Sequence, residues 1–369
     1  MNNTTIQKEL DGLKKNLKKT TSSFLGYPCN TDLHYKELFD FFYFPLNNIG
    51  DPFIESLYRV NTRKYEREVL EFFAKLYNLP KNNFWGYVTS GGTEGNLYGL
   101  FMAREFYPQG ILYFSEDSHY SIQKIARILN MKYIMIRSDQ YGEIDYSDFE
   151  AIITVNRQYP AICSLNIGTT MKGAIDNSDR IYEILQRNNI HNFYIHADAA
   201  LFGMMVPFIK NAAQLSFKKH ISSIAISGHK FIGSPIPCGV VLTKKEYTKR
   251  IERKIEYIGT LDTTILGSRN GHTPLILWYA IKTRGLEGFR QEVEQCLKMS
   301  EYLYTKLQQA HYPSCLNQCS NTVYFKKPSK KLIEKWQLAI SDKWAHIVVL
   351  QHVTKAKLDA FLNDLFNSK

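Results

Sequence analysis

Between about residues 60 and 245 the chain alternates short runs of β-branched and aromatic residues with stretches of helical periodicity. Few folds satisfy that pattern, because each apolar strand needs a helix to cover it before the next strand is laid down. The reading is a mostly parallel sheet with helices on both faces. Strands are expected at Trp85–Val88, Ile111–Phe114, Tyr133–Ile136, Ala161–Leu165, Phe193–His196, Ile221–Ile226 and Gly239–Leu242. Helices are expected at Glu66–Tyr77, Glu94–Phe106 and Ser121–Leu129; in the first, Val69, Leu70, Phe73 and Leu76 form one stripe. Further on the strict alternation stops. Two long helices, Leu275–Arg284 and Glu287–Ala310, precede short strands at Thr322–Phe325 and His346–Val349 and an amphipathic helix at Thr354–Leu365. The division expected is an N-terminal segment over 1–59, a large α/β unit over 60–270 and a small α+β unit over 271–369.

Composition narrows the setting. With 369 residues and 44% apolar content the chain is long enough for a sizeable core. No apolar run reaches the length of a membrane span, and the polar N-terminus lacks the apolar stretch of a signal peptide. The expectation is a cytoplasmic protein that engages neither membrane nor nucleic acid. The formal charge of +11 comes from dispersed lysines and arginines that no nucleic-acid motif interleaves with aromatics. Six scattered cysteines form no CxxC pair, which fits free thiols better than a metal site.

Four segments fall at the ends of expected strands, where open α/β sheets bind ligands. Thr89-Ser90-Gly91-Gly92-Thr93 joins a strand to a helix; it is either a structural turn or an anion cup built on backbone N–H groups and the helix N-terminus. His119 follows a strand, where a lone histidine is more often a surface or capping residue. Asp198 lies in His196-Ala197-Asp198-Ala199-Ala200, as an N-cap, a metal ligand or the partner of a cationic ring. Lys230, in Ser227-Gly228-His229-Lys230-Phe231, ends an apolar strand, and a lysine there either snorkels to solvent or is used covalently. Taken together they supply what pyridoxal phosphate (PLP) requires. The cofactor needs an amine, a carboxylate for the pyridine nitrogen, a flat neighbour for the ring and a cup for the phosphate.

The strings GYVTSGGTEGN (86–96), SHYSIQKIAR (118–127), NIGTTMKGAID (166–176), HADAALFGM (196–204), SGHKFIGSPIPCG (227–239) and GSRNGHTPL (267–275) occur in one order. On them the chain resembles the group II PLP-dependent amino-acid decarboxylases, in the histidine and serine decarboxylase branch, from about Gly26 onward. The resemblance implies the aspartate-aminotransferase-like fold (PLP fold type I) and a homodimer with active sites at the interface. It implies that Lys230 carries the cofactor as a Schiff base, Asp198 bonds the pyridinium nitrogen, His119 stacks on the ring and Ala200 packs on the opposite face. Gly91, Gly92, Thr93, Ser227 and His229 are implied on the phosphate side, and Thr169 near the phenolic oxygen. The stretch Tyr257–Ile265 corresponds to a region that closes over substrate.

The reaction implied is decarboxylation of an L-amino acid, with histidine to histamine expected first and serine to ethanolamine as the alternative. IGDPFIES (49–56) looks like plant serine decarboxylases, whereas GGTEGN and HADAAL match bacterial histidine enzymes. Two rivals stand beside this reading. One is another PLP reaction such as transamination, with Arg269 as a carboxylate clamp. The other is a catalytically idle PLP-binding or basic interaction protein.

Overall fold

The computed structural model describes residues 3–212, 215–256 and 259–367. Seven strands form the large sheet: β1 Phe84–Thr89, β2 Ile111–Ser115, β3 Lys132–Ile136, β4 Ala161–Asn166, β5 Phe193–Asp198, β6 Ser223–Ser227 and β7 Gly239–Lys244. Their order is β1-β7-β6-β5-β4-β2-β3. β7 runs antiparallel to β1 and β6, and the other pairings are parallel. The mostly parallel sheet expected from sequence is therefore present.

Near-continuous burial of these strands follows from cover on both faces, except in edge strand β3, where only Ile136 is buried. Leu112 and Phe114 of β2 enter one core with Trp85, Tyr87 and Tyr98, while Ile111 and Tyr113 enter another with Phe149 and Ile181. The helices that cover the sheet are α2 Arg63–Leu76, α3 Gly92–Phe106, α4 Ser121–Ile128, α5 Tyr146–Val155 and α6 Ser178–Arg187. They follow α1 Asn3–Ser22, which buries no residue. The sequence reading did not include α5 and α6, although each opens on a side-chain cap. Asp145 accepts from the N–H groups of Ser147 and Asp148, and Asn177 from those of Asp179 and Arg180.

A two-stranded ribbon, β8 Arg253–Ile255 with β9 Thr260–Asp262, leads into α7, His272–Gln309. Gly285, at φ 62° and ψ −176°, breaks α7 between the two helices expected from sequence. Leu277, Ile281 and Phe289 pack on the large-sheet core, whereas Met299, Leu303 and Leu307 pack on a second core. That second core belongs to an antiparallel sheet ordered β10-β11-β13-β12. Its strands are β10 Ser314–Leu316, β11 Thr322–Lys326, β12 Ala339–Ser341 and β13 Trp344–Val348, and α8 Lys330–Trp336 and α9 Lys355–Asn367 complete it. Among the described residues no helix is long and apolar enough to cross a membrane.

A buried polar network pins the segment before α2 to the end of the β8–β9 region. Arg269 Nη1 lies 2.5 Å from Glu66 Oε1, with both side chains at most 2% exposed. Glu66 also accepts from the Val88 N–H and from Asn48 Nδ2, both at 2.8 Å, and Arg269 Nη2 donates to the Gly50 carbonyl at 2.9 Å. Arg269 is thus committed to a structural ion pair and does not serve as the carboxylate clamp considered above. Removing one member leaves a buried charge without its partner. Glu66→Ala should cost about 3–5 kcal/mol, read as a lower urea midpoint; a loss below about 1 kcal/mol would place the pair in the range of solvated bridges.

Candidate active site

The strand ends along one edge of the large sheet deliver the functional side chains. β1 turns through Ser90 and Gly91 into α3, and Glu94 fixes that turn by accepting from Ser90 N–H at 2.6 Å, Ser90 Oγ at 2.7 Å and the Tyr87 hydroxyl at 2.8 Å. β2 leads to His119 just ahead of α4, β5 ends on Asp198, and β6 passes from Ser227 into a π-helical turn, Gly228–Ile232, that carries Lys230. Single π turns occur often at functional positions. Gly92, Thr93, His119, Thr169, Asp198, Ala200, Ser227, His229 and Lys230 line one cavity of about 320 Å³. Gly91 stands behind it: its carbonyl accepts from Thr89 Oγ1 and Gly95 N–H in the first turn of α3.

Lys230 and Asp198 share this cavity and interact. Burial lowers the Lys230 amine below the ordinary lysine value, and the Asp198 carboxylate opposes that shift. Burial likewise lowers His119, with Asp198 raising it and Lys230 lowering it. A lowered amine pKa increases the free-base fraction available for carbonyl chemistry. His119 Nδ1 is held by the Ser121 hydroxyl at 2.7 Å and by the Ser121 N–H at 3.3 Å, which sets the ring over the cavity. His229 Nδ1 lies 2.9 Å from the Cys238 carbonyl.

Asp198 is held by a buried relay. Asn96 Nδ2 donates to Asp198 Oδ2 at 2.8 Å, and the Ala200 N–H donates to Oδ1 at 3.2 Å. The Asn96 amide oxygen in turn faces His196 Nε2 at 3.0 Å, and His196 Nδ1 faces Ser223 Oγ at 2.8 Å. Burial depresses His196 to about 4, so the ring is neutral at physiological pH. With the Asn96 NH₂ turned to Asp198, its oxygen requires the Nε2–H tautomer. Sequence reasoning singled out neither Asn96 nor His196 for a role. A signal existed: Asn96 lies one helical turn after Gly92, and His196 two residues before Asp198, on the same strand face.

The anion cup fits a phosphate. Ser227 Oγ is buried and has no hydrogen-bond partner among the described residues, a state that costs about 1–3 kcal/mol unless an acceptor or donor arrives. A Cβ on Gly92 would stand 2.7 Å from that oxygen and 3.3 Å from the Ala200 Cβ. The cup is therefore open only because residue 92 has no side chain, and the N-terminus of α3 points into it.

The remaining wall comes from distant segments. Gly26, Tyr27 and Pro28 enter the cavity from before α2, and Ala339, His346 and Val348 enter from the small sheet. A Cβ on Gly26 would meet the Gln337 carbonyl at 2.3 Å, so the strap 24–31 lies directly on the backbone entering β12. Asn321 donates to the Val349 carbonyl at 2.7 Å inside the small core. Tyr257, at the start of the stretch expected to close over substrate, lies outside the described residues, as does Ile258. None of the residues 259–265 lines the cavity.

Comparison with known proteins agrees with this geometry. The sequence model of the pyridoxal-dependent decarboxylase conserved domain matches residues 60–326. Serine decarboxylase 1 of Oryza sativa subsp. japonica is 47% identical over 354 residues, covering 95% of this chain and 73% of the rice protein. Histidine decarboxylase of Mesorhizobium japonicum is 42% identical over 361 residues, 98% of each chain. The crystal structure of L-methionine decarboxylase from Streptomyces sp. 590 with L-methionine methyl ester superposes at TM-score 0.92 with 26% identity, over 99% of this chain and 95% of that one. The PLP fold type I expected from sequence is thus present.

Gly92→Ala should test the cup. Overpacking costs about 1–3 kcal/mol, so the PLP dissociation constant should rise about 5- to 150-fold in an absorbance titration, with the far-UV circular dichroism unchanged.

Proposed function

Because the chain belongs to the pyridoxal-dependent decarboxylase family, and is a carboxy-lyase that uses PLP, we propose that it removes the α-carboxylate of L-serine, with L-histidine as the second reading. Both substrates fit the relatives. Support for taking serine ahead of the histidine expected first from sequence is the 47% identity to the rice serine enzyme against 42% to the Mesorhizobium histidine enzyme, together with the IGDPFIES string.

PLP, when bound, supplies the electron sink that takes up the pair left as the C–C bond to CO2 breaks. The proposed roles of this chain's residues follow from their places in the cavity. Lys230 Nζ holds the cofactor. Asp198, fixed by Asn96, keeps a proton on the pyridine nitrogen by setting a negative charge beside it. His119 covers one ring face and Ala200 the other. Gly91, Gly92, Thr93, Ser227 and His229 form the phosphate side, and Thr169, whose Oγ1 accepts from the Ala174 N–H at 2.9 Å, stands near the phenolic oxygen.

One observation favours decarboxylation over transamination. Among the described residues lining the cavity, Lys230 is the only lysine or arginine, and Arg269 is occupied by Glu66. An α-carboxylate with no cationic clamp is not stabilised in the ground state and is free to stand perpendicular to the ring, where its bond to Cα overlaps the π system.

The proposal extends to a cytoplasmic homodimer and to the division into units over 60–270 and 271–369. Support for the dimer is an exposed apolar face: Phe39 is 61% exposed, Phe42 53%, Tyr43 86%, Phe44 54% and Leu57 70%. Patches of that kind mark association surfaces.

The test is CO2 release from purified protein supplied with PLP and, separately, serine and histidine. Serine should be the better substrate by kcat/KM, and Lys230→Ala should lose both turnover and the visible absorbance of the bound cofactor. Turnover of either amino acid without CO2 would defeat the proposal, and preference for histidine would reverse its order.

A further inference from the structure

Two histidines hold the strap 24–31 against the small sheet, and their bonding differs in kind. His352 Nδ1 accepts from the Thr31 N–H and its Nε2 donates to the Phe24 carbonyl, both at 3.3 Å. One neutral tautomer satisfies both contacts. His346 has a carbonyl oxygen on each side: Met171 O lies 3.1 Å from Nδ1 and Gly26 O 2.8 Å from Nε2. A neutral imidazole carries one N–H, and a carbonyl donates nothing. The neutral ring therefore serves one of these oxygens at a time, and the imidazolium serves both. The residue is 2% exposed, so bulk water does not replace the missing donor.

What the two carbonyls belong to gives the contact its importance. Gly26 precedes Tyr27 and Pro28, and Met171 follows Thr169 and Thr170; all four of those neighbours line the cavity. The Met171 loop is short and sharply turned, with Gly168 at φ 98° and Gly173 at φ 64°, conformations that residues with a side chain rarely adopt. Asn317 Nδ2 also grips it at the Lys172 carbonyl, at 2.9 Å. Across the strap, by contrast, the adjoining backbone bond is Val348 N–H to Leu25 O at 3.2 Å.

We propose that His346 is a positioning residue that draws the strap and the 167–175 loop together over the cavity, holding one of them when its ring is neutral and both when it is protonated. The kinetic half of this proposal rests on the decarboxylase reading; the structural half does not. Burial pulls the ring below the ordinary imidazole value and outweighs the two carbonyls, which raise it, so the doubly held state fills only on the acid side of that ordinary value. The groups around the ring set its field. Tyr324 sits opposite it on β11 with Cys315 beyond, and Ala339 flanks it on β12. Lys172 of the gripped loop is neutralised by Asp117 at 2.9 Å. Tyr27 and Cys29 lie on the strap, and His119, Asp198, His229 and Lys230 belong to the same cavity or its rim.

Hydrogen exchange on the PLP-loaded enzyme reads the clamp without turnover. Between about pH 7.5 and the lowest pH at which the loaded enzyme stays folded, after correction for intrinsic rates, wild-type peptides spanning 24–30 and 168–174 should gain about threefold to tenfold protection, the effect of one hydrogen bond added. His346→Gln, which carries two N–H bonds and does not titrate, should keep protection but lose its pH dependence. His346→Phe, which has no donor, should lose both. In steady-state kinetics at neutral pH, His346→Phe should raise KM about threefold to tenfold with kcat changed less than about twofold, and His346→Gln should restore most of the KM. PH-independent protection of both peptides in the wild type would overturn the proposal, and so would the same pH dependence in wild type and His346→Gln. Absence of CO2 release from every amino acid would remove the decarboxylase reading and leave the exchange result standing.

Discussion

A carboxylate at the inner end of a ligand cavity has to be kept in place by donors that do not cancel its charge, and the rest of the site is arranged around that requirement at Asp198. Neutral donors meet it, the Asn96 amide and the Ala200 N–H. Asn96 has one orientation available because its oxygen is taken by His196, which in turn is fixed by Ser223. His196 can play this part only while neutral, and burial depresses its pKa to about 4. A cationic partner in its place would hold Asp198 more strongly but compete with the ring nitrogen that the carboxylate is proposed to serve. Residues from three elements, α3, β5 and β6, therefore act as one rigid support, which fits the general need for neighbours that fix a reactive group's rotamer.

The sheet explains why so few residues suffice. Parallel strands bring their C-terminal ends to one edge, so Thr89, Ser115, Asn166, Asp198 and Ser227 all terminate where the ligand sits, and each hands over to a turn of its own design. The glycine turn after β1 opens a cup, the turn after β2 presents a ring, and the π turn after β6 aims an amine. The fourth, after β4, is held from outside: Asn166 and Ile144 bond the buried Asp176, whose carboxyl burial pushes up to about 7. That turn depends on the small sheet for its last anchor.

Much of this was legible in the sequence, for identifiable reasons. The inner strands of the large sheet were readable because burial on both faces makes them continuous apolar runs, the edge strand β3 because its residues are mostly β-branched or aromatic although largely exposed, and the break in α7 because Gly285 interrupts a periodic stripe. The cup, the ring, the carboxylate and the amine were readable because each lies immediately after such a run. The short strands β10 and β12 were not, since three residues carry no period. Helices α5 and α6 were passed over despite their Asp145 and Asn177 caps. Nor was the strap: Gly26, Tyr27 and Pro28 join the cavity through contacts with residues more than 300 positions away, as the 320-residue separation of Gly26 and His346 illustrates, and no local pattern encodes such a partner.

That separation has a consequence for how the protein is made. The strap leaves the ribosome well before its seat, the backbone entering β12 together with His346 and His352. At about 5–20 residues per second, the 320 positions between Gly26 and His346 represent roughly 15–65 s, and for about the last third of that time the nascent chain has its glycine cup and its lysine but no finished wall. A fully walled cofactor site accordingly has to wait until synthesis has passed His346, long after the strap itself is made.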